Sequence, residues 1–367
     1  MFALESTTSI VLESILCATM SSIIDSIFSF IGVNTPDNDD EITLNDIKVA
    51  KLAISHACIR TPMLKVGGTI QGIGPSFHIK CENLQVSGAF KLRGAYNMIS
   101  RLSDKEKAAG IITYSSGNHG LALSLAAKMM GLKTCVVVMP TNVPEIKKNG
   151  VSRYGGEIQL CGTTTLERKL HAETVMSERN LTMIPPFDHK LIMAGQGTIG
   201  LEIVEECPVD KKMHVYVPCS GGGLIGGTAL AIKSIRPDAM IVGVEPTTAP
   251  KMTTSLAAGI PTTLSSVGGI ADGLLSVRPG DITFKYVQKY VDSVVVVSDT
   301  EIAFAVKWLF DHAKIVVEPS GAATVAAVLR TYKEEHDDTV VVAVISGGNV
   351  TALDFSKYIN LHEGDKI

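Results

Sequence analysis

The chain has 367 residues, 46% of them hydrophobic, with 33 basic against 37 acidic side chains and a formal net charge of −4. That length exceeds what one compact domain usually holds, so two domains are expected, and without a basic block nothing supports a nucleic-acid or anionic-membrane partner. Seven cysteines (Cys17, Cys58, Cys81, Cys135, Cys161, Cys207, Cys219) are odd in number and never spaced C-x-x-C, which argues against a disulfide framework or a zinc site and for reduced, mostly buried thiols of a cytoplasmic protein.

Residues 1–44 read as an N-terminal extension. No Lys or Arg precedes Lys48, and the apolar stretch 10–31 is interrupted by Glu13 and Asp25, which fails as a signal peptide, a transit peptide or a membrane span. Leu12, Leu16, Ile23, Ile27 and Phe30 fall near one helical face, so an amphipathic helix competes there with a poorly ordered tail. Thr35-Pro36-Asp37-Asn38-Asp39-Asp40-Glu41 then forms a polar linker into the globular part.

Lys91 follows, in the Gly-flanked run Ser87-Gly88-Ala89-Phe90-Lys91-Leu92-Arg93-Gly94. A lysine held among apolar neighbours has a depressed pKa and is nucleophilic near neutrality; the competing reading is a lysine snorkelling from a helix start. Next come a strand over 110–114, the loop Ser115-Ser116-Gly117-Asn118-His119-Gly120, a helix over 121–130 and a strand over 134–139. Strand, helix and strand at that spacing imply crossover units in a parallel sheet. The rhythm returns with His214-Val215-Tyr216-Val217-Pro218, a second loop Ser220-Gly221-Gly222-Gly223-Leu224-Ile225-Gly226-Gly227, a helix over 228–235 and a strand over 241–244. A last strand over 340–345 leads into Ser346-Gly347-Gly348-Asn349-Val350.

Each glycine loop follows a predicted strand and opens a helix, the place where backbone N–H groups bind anions in open parallel sheets. A lysine amine that forms imines, with a glycine cradle for phosphate, suggests a phosphorylated aldehyde, and pyridoxal phosphate meets both demands. The second loop has a rival, because Gly221-x-Gly223-x-x-Gly226 with Glu245 after the next strand also fits the dinucleotide fingerprint of an NAD-dependent oxidoreductase. That rival leaves the hydroxyls and amide of the Ser115 loop unused.

Together these segments, with Ile59-Arg60-Thr61-Pro62-Met63, Ala194-Gly195-Gln196-Gly197-Thr198 and Ile270-Ala271-Asp272-Gly273, resemble the serine/threonine dehydratase and serine racemase family of pyridoxal-phosphate enzymes over about four fifths of the chain. The resemblance implies an α/β fold of two open parallel-sheet domains, the tryptophan-synthase-β-like fold type II. Its large domain would take residues 45–107 and 183–367 and its small one 108–182, in a homodimer. Lys91 would be the Schiff-base lysine, Phe90 its ring-packing neighbour, Asn118 the partner of the cofactor's phenolic oxygen, and Ser220, Gly221, Gly222, Gly223 and Leu224 the phosphate site. Ser346 would face the pyridine nitrogen, where a hydroxyl does not favour a protonated ring and so favours prompt loss of a β-leaving group.

On the same grounds Ser115, Ser116, Asn118 and His119 would hold the substrate, with Ser116 able to return a proton to the opposite face and invert Cα. Arg168 and Ser276 would face the substrate, against the plainer reading of Arg168 as a solvated helix residue. The implied activity is deamination of L-threonine or L-serine to 2-oxobutanoate or pyruvate plus ammonia. Serine racemisation and 3-hydroxyaspartate deamination are the alternatives. The family's divalent-cation site would use Glu245 and a carboxylate six residues on; Lys251 stands there instead, so no metal of that design is expected. The residues after Ser346 are too few for a regulatory domain, which implies a catabolic or racemase-like member.

Overall fold

The computed structural model describes residues 41–67, 76–115, 117–143, 145–332 and 338–361. The amphipathic helix read over residues 10–31 lies outside the described residues. In the first described element Thr43 and Asp46 exchange hydrogen bonds in a capping box that opens the helix Leu44–Ala53 and turns Ile47 and Ala50 inward.

Two sheets follow. The strands are β1 (Met63–Val66), β2 (Phe77–Cys81), β3 (Ile111–Thr113), β4 (Cys135–Met139), β5 (Glu157–Leu160), β6 (Thr182–Met183), β7 (Lys212–Pro218), β8 (Met240–Pro246), β9 (Ser293–Val297) and β10 (Thr339–Ile345). The six-stranded sheet runs β1-β2-β10-β7-β8-β9 and the four-stranded sheet β5-β4-β3-β6. All pairings are parallel except β1 with β2. That exception to the expected parallel sheets has a simple cause: the connection from β1 to β2 is too short for the crossover that parallel neighbours need.

The valine runs of β4 and β10 are buried on both faces, as parallel strands between helices should be. Along β10, Val341, Ala343 and Ile345 join a cluster with the helix Pro319–Thr331, while Val340, Val342 and Val344 join another with the helix Gly223–Ile235. The four-stranded sheet behaves alike. Ile112, Val136 and Val138 pack with Ala172 and Val175 of the helix Thr165–Arg179, and Ile111, Val137 and Met139 with Ala122 and Leu123 of the helix Asn118–Met129.

The helix Lys91–Ser100 lends Leu92, Ala95, Tyr96 and Ile99 to that last cluster. Its start is tied to the other sheet, because the Phe90 N–H donates to the Ser346 carbonyl after β10 at 3.1 Å and Ala89 bridges Gly347. Lys91 therefore stands where the two sheets meet. Among the described residues no helix is long and apolar enough to cross a membrane, and five of the six described cysteines are buried.

Candidate active site

Lys91 is the first residue of its helix, so its side chain emerges beside the loops at the carboxyl ends of the strands. Its Nζ donates to the Pro186 carbonyl at 2.6 Å and lies 5.0 Å from the centre of the Phe90 ring. Its exposed area is intermediate, yet the ammonium is densely surrounded, and that burial brings its pKa down to about 8. Such an amine gives up its proton readily near neutral pH.

Phe187, next to Pro186, reaches the glycine cradle: a Cβ on Gly221 would sit 2.5 Å from the Phe187 ring. Gly222, with φ +99°, caps the helix Gly223–Ile235, a backbone geometry that side chains other than glycine strain to adopt. The Gly221 carbonyl accepts from the Gly280 N–H at 3.0 Å and the Thr283 hydroxyl at 2.5 Å, which fixes the turn. The Asp188 carboxylate in turn accepts from the N–H groups of Asp281, Ile282 and Thr283 and anchors the helix Asp281–Tyr290. The first N–H groups of a helix lack intrahelical partners, so this cradle of small residues at a helix start fits a phosphate. Ser220 is half-buried at its edge, while Leu224 is buried behind it.

The Ser346 hydroxyl, buried at the end of β10, donates a long 3.4 Å bond to the Ser320 carbonyl, and its neighbour Asn349 leads to the other sheet. Asn349 Nδ2 donates to Asn118 Oδ1 at 2.9 Å and to the Ser87 carbonyl at 2.9 Å. Asn118 Nδ2 donates to Glu318 Oε1 at 2.6 Å. A continuous circuit thus runs from Lys91 through Phe90, Ser346, Asn349 and Asn118 to Glu318. Ser115 is half-buried at the start of that loop, its hydroxyl 3.4 Å from the Gly117 N–H.

His119 is buried, with Nε2 3.1 Å from the Ile184 carbonyl. Burial first, and the charge of Lys91 second, lower its pKa to about 3, so the ring is neutral and carries its proton on Nε2 toward that carbonyl. Ser116 lies outside the described residues.

Two of the expected residues keep other company. Arg168 is buried, and its guanidinium donates to the Thr163 carbonyl and the Thr165 hydroxyl, both at 3.1 Å, at the start of its own helix. The reading of Arg168 as a solvated residue is thereby corrected: the first turn's acceptors fold the guanidinium back. The Ser276 hydroxyl donates to the Arg278 carbonyl at 2.7 Å. Among the described residues no hydrogen bond joins either of them to the Lys91 circuit.

Sequence reasoning missed Glu318, Asp188 and Phe187. Glu318 is a buried carboxyl whose pKa rises to about 8, chiefly through burial and then through the negative charge of Asp272, with Asn118 and Lys147 pulling the other way. Its signal is visible in retrospect: a lone acid between the apolar run Ile315-Val316-Val317 and a helix opened by Pro319. The dinucleotide alternative fails on Glu245. Its carboxylate accepts from the Met252 and Thr253 N–H groups at 3.0 and 2.8 Å, fully buried, and is not free to bind ribose hydroxyls.

The sequence profile of the family described as pyridoxal-phosphate dependent enzyme matches residues 54–347. The chain is 41% identical over 319 residues to a biosynthetic L-threonine dehydratase of Haemophilus influenzae, covering 87% of this chain but 62% of that one, so it spans about three fifths of that relative's length. It is 38% identical over 322 residues to serine racemase of Dictyostelium discoideum, with 87% of this chain and 98% of the relative covered. The solved structure of maize serine racemase superposes with a TM-score of 0.80 at 38% identity, over 86% of this chain and 96% of that one.

Proposed function

The chain belongs to the pyridoxal-phosphate dependent enzyme family, and from that premise we propose that it deaminates a β-hydroxyamino acid, L-threonine or L-serine, to the 2-oxo acid and ammonia. The cofactor supplies an aldehyde that condenses with amines and a ring that accepts the electrons left when the α-proton departs. In this reading Lys91 would hold the cofactor, and its amine, once free, would take the α-proton of the substrate. The cradle of Ser220, Gly221, Gly222, Gly223 and Leu224 holds the phosphate, and Asn118, braced by Glu318 and Asn349, faces the phenolic oxygen. Ser346 faces the ring nitrogen. Ser115, the N–H groups opening the helix Asn118–Met129, and neutral His119 bind the substrate carboxylate.

The observation that carries the proposal is the Lys91 amine: it is withdrawn from water, bonded to a single carbonyl and brought down to about 8, beside a cradle that a Cβ would fill. Supplying L-threonine, L-serine, D-serine and both 3-hydroxyaspartates to the holoenzyme, and measuring 2-oxo acid and ammonia, tests it. Oxo acid from L-threonine or L-serine is expected, and none from any of them contradicts the reading.

Racemisation is the second reading, since the chain is 38% identical to serine racemase of Dictyostelium discoideum and 38% identical to that of maize. D-serine formed from L-serine faster than pyruvate would favour that reading. Pyruvate with no D-serine removes it.

A further inference from the structure

Away from Lys91, the fold buries a second lysine in a shell made only of oxygens. Lys251, 0% exposed, opens the helix Lys251–Ala258. Its Nζ donates to the main-chain carbonyls of Leu274 at 2.8 Å, Cys219 at 3.0 Å and Ala249 at 3.1 Å. The Glu245 carboxylate, equally buried, lies 3.5 Å away and is held in place by its two backbone N–H donors. Burial weakens the amine's hold on its proton and Glu245 opposes this. The hydrogen-bond count decides: three acceptors need three N–H groups, which only the ammonium form has.

Three carbonyls and a carboxylate around one positive charge are the surroundings that hard cations choose. Here the charge is covalently attached. The elements it joins bear on the site. Cys219 immediately precedes the glycine cradle, and Leu274 ends the turn Asp272–Leu274. That turn is bonded in turn to the site's far wall, since Asp272 takes the ammonium of Lys147 and the Gly273 N–H donates to the Ser320 hydroxyl at 2.8 Å, two residues from Glu318. Without a cation the three carbonyls would face one another and a buried carboxylate with no counter-charge.

We propose that Lys251 is a tethered cation, a positioning residue whose ammonium takes the part of a bound metal ion and locks the cradle turn to the Asp272–Leu274 turn. The enzyme is then independent of added cations. The proposal rests on the reading that the Gly221–Gly223 cradle takes the cofactor phosphate, and a separate control addresses that: Gly221→Ala, whose Cβ meets Phe187, must weaken pyridoxal-phosphate binding, and unchanged binding removes the cradle reading whatever Lys251 does.

The test is titration of the apoenzyme with pyridoxal phosphate, followed by absorbance, together with its thermal midpoint. Lys251→Ala is expected to weaken binding about ten- to a hundredfold, in keeping with loss of charge-assisted bonds. Potassium or methylammonium ions, but not the bulkier tetramethylammonium, should restore it. In the wild-type protein neither those salts nor a chelator should change affinity or midpoint. Lys251→Met fills the volume without the charge and is expected to stay weak. Normal binding by Lys251→Ala, or normal binding by Lys251→Met with no rescue of Lys251→Ala, overturns the proposal. Should the alanine variant not fold, Lys251→Asp decides: two carboxylates and three carbonyls should make its midpoint rise with calcium or magnesium, and a midpoint indifferent to both overturns it.

Discussion

Lys91 and Arg93 stand two residues apart in the first turn of one helix, Lys91 half-buried and Arg93 buried, and the fold treats them oppositely. Arg93 is fully paired: its guanidinium meets Glu82 at 2.8 Å and Glu202 at 2.6 Å, with Thr198 at 3.1 Å. Lys80 closes the group by donating to Glu202 at 2.8 Å and to the Thr61 carbonyl at 2.6 Å. Burial disfavours the charge on Arg93, but Glu82 and Glu202 outweigh it and raise the pKa. Lys91 has a carbonyl and an aromatic face instead of a carboxylate, and burial goes unopposed. A charge that is matched fixes geometry, whereas one left unmatched is easily given up and so becomes chemistry. The paired cluster is what holds the unpaired amine in place.

The strongest way to break this contrast is Lys91→Ala. Turnover should fall by about 10⁴-fold or more, as expected for loss of a nucleophile and base, with stability of the apoenzyme at neutral pH unchanged or raised, because a charge disfavoured by burial is removed. Oxo-acid assay and denaturant melts read the two. Arg93→Met should do the reverse, costing about 3–5 kcal/mol by leaving the buried Glu82 without its cation and Glu202 with Lys80 alone, while whatever remains folded keeps the cofactor. Equal losses of stability in the two variants would erase the distinction.

Glu318 sharpens it through pH. In the fold it keeps its proton to about 8, against an ordinary value of 4.5. Between those values the folded apoenzyme binds more protons than the unfolded chain, so stability falls as pH rises through that window. Lys91 works in the opposite direction from about 8 to 10.5, where the unfolded chain holds more protons and stability rises. Glu318→Gln should flatten the fall by at least about half, and Lys91→Ala should remove the rise; denaturant melts across pH check both. The smallest effect belongs to Arg168→Ala. With its guanidinium bonded to its own helix start, turnover of L-serine and L-threonine should change by less than about threefold. If acidic substrates are accepted, their turnover should fall with it, and no change there leaves Arg168 a purely local contact.

Much of this was legible in the sequence, and unevenly. The valine runs and glycine loops announced parallel strands with anion sites at their ends, since period and turn chemistry are local properties. Lys91 stood out because its glycine-flanked setting is local too. Glu318 did not, because what raises its pKa is burial where the two sheets cross and the charge of Asp272, a residue far off in the chain. Arg93 was equally silent: an arginine on a helix reads as solvated until Glu82 and Glu202 are found beneath it. The antiparallel β1 was hidden for a related reason, since pairing depends on the length of a connection more than on the strand's own residues. Lys251 stands out in the sequence as the wrong residue for a metal site, but the three carbonyls that explain it come from three separate turns.

The central claim is that the cofactor is held covalently by the ε-nitrogen of Lys91. Borohydride reduction of the holoenzyme followed by peptide mass mapping tests it most directly. A single pyridoxyl group is expected on the peptide bearing Lys91, lost in Lys91→Ala. The same group on another lysine, or active protein that yields none, would contradict it.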